Sequence, residues 1–369
     1  MSDPIKMINK IKKVFIPGPV DPLDEVKKAS STSVFSHRSE EFSLLYNNIE
    51  KLMKPIVGAS EKCKVILMPG SSTLGIESVF INILTPKDRV LVIKHGFFGT
   101  WMEEIVKRYT SNVDSIEAPL GSVSDPDIVV DKIKEGGYDV VGVVHYETSA
   151  GTAVRYLDKI GKAAAETGSI VIVDGVSSVG AEEIKMDEWG LGAIVTGPQK
   201  CLGAYPGLSI IALDKKMVDL IYEKKDKVKT PFYMDLCKYI EYKDKYGWTV
   251  TTPPINNVVS LYVSLKKIHD YGVKNYFELH KERAKEVYSY AEEKGLKPLV
   301  KDESIRAYSV AVIEVNGAKN VVKKLKEKYG FVIATGLGEY ADKLVRIGMM
   351  GFALVEDLKK VIDYIKDLA

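Results

Sequence analysis

Short unbroken apolar runs alternate along this chain with longer stretches of helical spacing. Lys64–Met68, Arg89–Ile93, Tyr138–His145 and Gly168–Val173 are rich in β-branched residues and bounded by Gly, Pro or Ser, which predicts buried strands. A further apolar run begins at Ala193. Helical patterns of ten to fifteen residues between such runs imply βαβ units and a mainly parallel sheet. Before them, Lys13–Asp21 predicts an extended arm, since two prolines and a glycine disfavour helix. Ser39 is a suitable N-cap for a helix through Leu45, Ile49 and Leu52. A helix from Asn256 to Tyr271 then predicts a link to a smaller α+β unit. That unit contains helix Tyr276–Lys294, strand Tyr308–Val315, helix Lys319–Tyr329, strand Lys343–Ile347 and helix Val355–Leu368. The division expected is an arm over 1–20, a large domain over 21–270 and a small domain over 271–369.

Composition narrows the class. A chain of 369 residues is too long for one small core. Its net charge of +2 gives no reason to expect a nucleic-acid partner. The densest lysine cluster, Glu223–Lys229, is interleaved with acids and reads as a solvated helix face. Cys63, Cys201 and Cys237 show no CxxC spacing, against both a disulfide framework and a structural zinc site. No secretory leader is evident in Met1–Lys13, and no stretch approaches the ~20 apolar residues of a membrane span. A cytoplasmic enzyme without membrane partner is the expectation.

The chemistry gathers at strand ends. Ser71, Phe98, Ser149, Asp174 and Lys200 each fall just after an apolar run, where open α/β sheets bind ligands. Pro69-Gly-Ser-Ser-Thr73 followed by a helix forms an anion site from free N–H groups and hydroxyls. No Walker pattern is present. An aspartate and a lysine delivered through Gly-rich turns suit an aldehyde cofactor with a basic ring nitrogen. The lysine forms a Schiff base and the acid keeps the ring protonated. Read singly, each residue also has a structural role open to it: Asp174 as a turn cap, Phe98 as core, Ser149 as a capping hydroxyl, His95 as a satisfied core histidine. Arg346 lies inside an apolar strand, so its guanidinium must meet a carboxylate, either a structural one or a substrate's.

The span Val171–Leu208, with Asp174, Gly175, Thr196-Gly-Pro-Gln-Lys200 and its Gly-rich exit, resembles the cofactor region of the class V pyridoxal-phosphate aminotransferases, in particular the alanine–glyoxylate and serine–pyruvate branch. The resemblance implies an α/β fold of type I, with a mainly parallel seven-stranded sheet between helices, a smaller C-terminal α+β domain, and a homodimer with sites at the interface. It implies pyridoxal 5'-phosphate bound as an imine on Lys200, with Asp174 on the ring nitrogen. Ser71, Ser72 and Thr73 would cradle the phosphate, with Gln199 beside it. Phe98 and Val176 would face the ring from opposite sides, and Ser149 would bond its phenolic oxygen or the substrate. Thr252, with Thr249 and Thr251 as neighbours, would reach the phosphate of the other subunit. Arg346, in Arg-Ile-Gly, and Gly18, in Pro-Gly-Pro, would contact the substrate. The implied reaction transfers an amino group from a small amino acid (alanine, serine or aspartate) to glyoxylate or pyruvate. Open beside it are a 2-aminoethylphosphonate transaminase, a lyase, and a non-catalytic accessory subunit. A cysteine desulfurase would carry histidine where Gln199 stands.

Overall fold

The structure, a computed structural model, describes residues 4–369. Its centre is a seven-stranded sheet: β1 (Lys64–Pro69), β2 (Val90–Lys94), β3 (Val113–Glu117), β4 (Val140–Val144), β5 (Ile170–Asp174), β6 (Ala193–Thr196) and β7 (Leu208–Leu213). The order across the sheet is β1-β7-β6-β5-β4-β2-β3. Strands β3, β2, β4, β5 and β6 pair in parallel, and β7 runs antiparallel to both β6 and β1. The mainly parallel sheet expected from the periodicity is present. The chain after Lys200, read from sequence as a Gly-rich exit, continues into β7. All six residues of β7 are buried, which places it inside the sheet rather than at its edge.

Both faces of the sheet are covered, which explains why its strands read as continuous apolar runs. Alternate residues feed separate cores. Val65 and Leu67 pack with helices Glu40–Val57 and Ile255–Tyr271, while Ile66 and Met68 pack with helices Ser72–Ile81 and Phe97–Val106. Each such side chain contributes roughly 1.5–3 kcal/mol on burial. Ser39 caps its helix by accepting from the Phe42 N–H at 3.5 Å. The buried stripe of that helix is Phe42, Tyr46, Ile49 and Met53, so Leu45 and Leu52, expected on the stripe, border it instead.

The smaller unit is a four-stranded antiparallel sheet of β8 (Lys297–Pro298), β9 (Val310–Glu314), β10 (Ala334–Thr335) and β11 (Leu344–Gly348), in the order β8-β9-β11-β10. Helices Val273–Glu293, Ala318–Tyr329 and Val355–Leu368 enclose its core. The N-terminal arm joins this core. Lys13–Val14 pairs in parallel with Phe331–Val332, and Phe15 packs among the small-unit residues. Among the described residues no helix is long and apolar enough to cross a membrane, and no cluster of His, Cys, Asp or Glu is arranged to hold a metal ion.

Candidate active site

A cavity of about 180 Å³ opens where β1, β5 and β6 end at their carboxyl sides. Ser71, Ser72 and Thr73 form one end, Phe98 and Val176 line its walls, and Asp174, Gln199 and Lys200 complete it. A larger cavity of about 540 Å³, lined in part by His145, Arg155 and Glu182, holds none of these groups.

The Ser71 end brings hydroxyls to a helix N-terminus, an arrangement that favours anions. Ser71 is the N-cap of helix Ser72–Ile81, yet its side chain makes no capping bond. The first N–H groups of the helix therefore remain without that partner, at its positive end. Gln199 Nε2 donates to Ser72 Oγ at 3.4 Å, while Gln199 Oε1 is buried with no partner. A Cβ at Gly197 would collide with both Ser72 Oγ and Gln199 Oε1. A larger residue there would force the Ser72 and Gln199 side chains out of their present positions.

Asp174 ends β5. Its Oδ1 accepts from the Val176 N–H at 2.9 Å, its one hydrogen bond from the protein among the described residues. Burial pushes its pKa up to about 7, the nearby Glu147 charge adds to the rise, and Lys200 opposes it. Lys200 follows the Thr196–Gln199 turn, and its amine donates to the Pro17 carbonyl. Burial lowers the Lys200 pKa to about 8, with Cys201 and Asp174 pulling it upward and Arg346 pushing it down. Gly18 lies directly against this side chain. With φ +89°, a Cβ there would sit 2.5 Å from Lys200 Cδ and 2.8 Å from Nζ.

Phe98 stands edge-on to Phe97 and Trp101, at 5.6 and 5.8 Å between centroids. Its helix, Phe97–Val106, begins at Gly96, which supplies no side-chain cap. Glu147 supplies it from elsewhere in the chain. Its Oε2 accepts from the N–H groups of Phe98 and Gly99, both at 3.0 Å. Its Oε1 accepts from the Ser149 N–H at 3.1 Å and the Ser149 hydroxyl at 2.5 Å.

That bonding moves Ser149 away from the role expected of it. Its hydroxyl also accepts from the Phe97 N–H at 3.0 Å, and it lines a neighbouring cavity of about 510 Å³. The residue that faces the Asp174 cavity is its neighbour Thr148. For Arg346, the structural carboxylate is not the partner found. Its Nε donates to Thr335 O at 2.7 Å and its Nη1 to Thr148 O at 3.4 Å. Among the described residues it forms no ion pair with a carboxylate, although it is only 8% exposed. Thr252 is exposed and outside the cavity of this single chain. Thr249 donates to Thr251 O at 2.7 Å. His95 is buried and held neutral, its pKa lowered to about 4 by burial. Its Nε2 accepts from the Ser124 N–H at 3.0 Å, a structural role.

Tyr146, Thr148, Ser177 and Trp101 also line the cavity and were not expected there. Trp101 had a signal, lying one helical turn beyond Phe98. Tyr146 and Thr148 flank Glu147, and only the tertiary path of the segment after β4 turns them inward.

The aminotransferase class-V family profile matches residues 23–361. An uncharacterized aminotransferase of Methanocaldococcus jannaschii is 33% identical over 352 residues, covering 93% of this chain and 89% of that protein. The L-aspartate–glyoxylate aminotransferase of Paracoccus denitrificans is 30% identical, covering 92% and 86%. The crystal structure of an alanine–glyoxylate aminotransferase from Nostoc superposes with a TM-score of 0.92 at 26% identity, covering 97% of this chain and 95% of the other. With the profile spanning both structural units, this chain belongs to the class-V aminotransferases, a family that works with pyridoxal phosphate.

Proposed function

We propose that this chain binds pyridoxal phosphate in the Asp174–Lys200 cavity. There it would move an amino group from alanine, serine or aspartate to glyoxylate or pyruvate. The observation that carries this reading is one cavity bringing together Asp174, Lys200 and the unpartnered Gln199 Oε1 at a helix start. The residues fit the group. The Ser71–Thr73 N–H groups and hydroxyls would hold its phosphate, and Phe98 and Val176 would flank its ring. Asp174, short of hydrogen bonds for a buried carboxylate, would hold the proton on its ring nitrogen. When bound, the cofactor supplies an aldehyde carbon and an electron-accepting ring.

The protein's own groups do the rest. The Arg346 guanidinium, in no ion pair among the described residues, would hold the donor's α-carboxylate. Lys200 Nζ, with a pKa near 8, is partly unprotonated at neutral pH. It is therefore suited to take the donor's α-proton and carry it. The Pro17–Gly18 backbone confines that amine. A second copy would bring Thr252 to the phosphate; the exposure of Thr252 and of Trp101 beside the cavity supports such a pairing. The donors aspartate and alanine and the acceptor glyoxylate agree with the names of the relatives.

Absorption spectroscopy of the cofactor-loaded protein tests this. Addition of alanine, serine or aspartate without any 2-oxo acid should convert the yellow form to the pyridoxamine form, and glyoxylate or pyruvate should restore it. A protein that stays colourless with added pyridoxal phosphate, or a yellow one that no donor converts, would refute the reading.

A further inference from the structure

One helix of the smaller unit reaches both halves of the candidate site. Helix Val273–Glu293 buries Tyr276, His280, Arg283 and Val287 on one face, at helical spacing. Arg283 is 1% exposed. No carboxylate forms an ion pair with it among the described residues. Instead Nη1 donates to Gly351 O at 2.9 Å and Ala353 O at 3.0 Å, and Nη2 to Met349 O at 2.6 Å. These carbonyls belong to the loop directly after β11, the strand of Arg346. Two turns earlier on the same face, the Tyr276 hydroxyl donates to Cys201 O at 2.6 Å. Cys201 is the residue after Lys200. The two loops also touch, since a Cβ at Gly351 would meet the Gly203 Cα at 3.7 Å.

A buried guanidinium without a counter-anion is costly, and an apolar side chain would pack helix against loop at lower cost. The arginine contributes geometry: a planar fork that fixes three carbonyls of one loop. We propose that Tyr276 and Arg283 are positioning residues, through which a single stiff helix holds the Lys200 amine and the Arg346 guanidinium at a fixed separation. This rests on the roles proposed above for Lys200 and Arg346. Misplacement of about 1 Å between groups that act on one substrate is worth as much as ~10²-fold in rate.

The test compares Tyr276→Phe and Arg283→Lys with Tyr288→Phe. The last removes the same kind of bond, Tyr288 hydroxyl to Val310 O at 3.0 Å, from the same helix but to a carbonyl of β9 instead of either loop. The first readout uses the chain without cofactor. Competitive acylation of amines across pH, read by peptide mass spectrometry, gives the titration midpoint of Lys200. Loosening its loop should admit water and raise that midpoint by about half a pH unit or more in Tyr276→Phe and Arg283→Lys, and leave it in place in Tyr288→Phe. The second readout is the loaded enzyme's conversion by a donor. Tyr276→Phe should lower the saturating rate about tenfold, and Arg283→Lys should mainly raise the half-saturating donor concentration. An unmoved Lys200 midpoint in Tyr276→Phe, or an equal shift in Tyr288→Phe, overturns the proposal, and the isosteric Tyr276→Phe decides if Arg283→Lys fails to fold. A wild-type protein that no donor converts refutes the transaminase reading, while the midpoints still decide the positioning role.

Discussion

Asp174 and Glu147 are both carboxylates held out of water near one cavity, and the protein treats them in opposite ways. Both are buried, and burial raises the pKa of each. Glu147 is surrounded by donors: three N–H groups and a hydroxyl satisfy both its oxygens, and it caps a helix that has no cap of its own. Asp174 receives a single N–H. A buried carboxylate with all its bonds inside the protein maintains the fold. One left short of bonds at a cavity wall is held ready for a partner that the chain does not contain.

Exchanging each acid for its amide separates these roles most strongly. Asp174→Asn should lower the rate of donor conversion by about 10²–10³-fold. Its thermal stability at pH 7.5 should equal or exceed wild type, because the substitution removes a buried charge. Glu147→Gln should do the reverse, costing about 2 kcal/mol of stability because an amide turns donors toward donors, with activity falling only as the helix start loosens. Calorimetry and the absorbance assay on the two variants measure both. A stable, inactive Glu147→Gln together with an unstable, active Asp174→Asn would invert the comparison.

The pH dependence of the cofactor-free chain is the next largest effect. Asp174 has its pKa raised from 3.8 to about 7. Between those values the unfolded chain is ionised while the folded one keeps the proton, so stability falls as pH rises from about 4 to about 7. Lys200 has its pKa lowered from 10.5 to about 8. There the unfolded chain holds the extra proton, so stability rises from about pH 8 to about 10.5. Each slope is at most about 1.4 kcal/mol per pH unit. Buried His95, His145 and His280 oppose the Asp174 limb, because burial lowers their pKa values below 6.5 and their contribution rises with pH between about 4 and 6.5. Urea midpoints should therefore rise more steeply between about pH 4 and 7 in Asp174→Asn than in wild type, with the alkaline limb of Lys200 unchanged.

The smallest effect concerns Ser149. Ser149→Ala should cost about 1 kcal/mol through its bonds to Glu147 and Phe97 and leave donor conversion near wild type. A fall of about tenfold or more in rate, equivalent to ~1.4 kcal/mol on the barrier, would return Ser149 to the substrate or cofactor.

Local pattern made much of this site legible. Ser71–Thr73, Asp174 and Lys200 sit where a strand stops and a turn begins, and strand ends are readable from apolar runs. Glu147 capping Phe98 and Gly99 was not readable, because those partners lie 49 and 48 positions away and share no spacing rule. The Pro17 carbonyl that receives the Lys200 amine is more distant still. Arg283 left a trace, since it falls on the Tyr276–His280–Val287 stripe. An arginine within the charge-rich run Lys281–Glu286 nevertheless reads as solvated until the loop carbonyls around it are seen. Arg346 shows a third limit. Its apolar strand called for a carboxylate, structural or from a substrate, and nothing in the sequence chose between the two; among the described residues its hydrogen bonds go to carbonyls and no carboxylate pairs with it.

The N-terminal arm has a consequence for the order in which the protein can be finished. Lys13–Val14 zips onto Phe331–Val332, Phe15 O accepts from the Gly348 N–H at 2.6 Å, and Val20 N–H donates to Gln199 O at 3.0 Å. A segment made early is thus moored by segments made between 179 and 333 residues later, contacts of very high sequence separation. On the ribosome the large sheet can assemble first, but the Pro17 carbonyl has no fixed place until the small sheet exists. From the moment Lys200 is made, the nascent chain therefore carries its amine unconfined until the small sheet forms, and this corner of the site closes among the last events of folding.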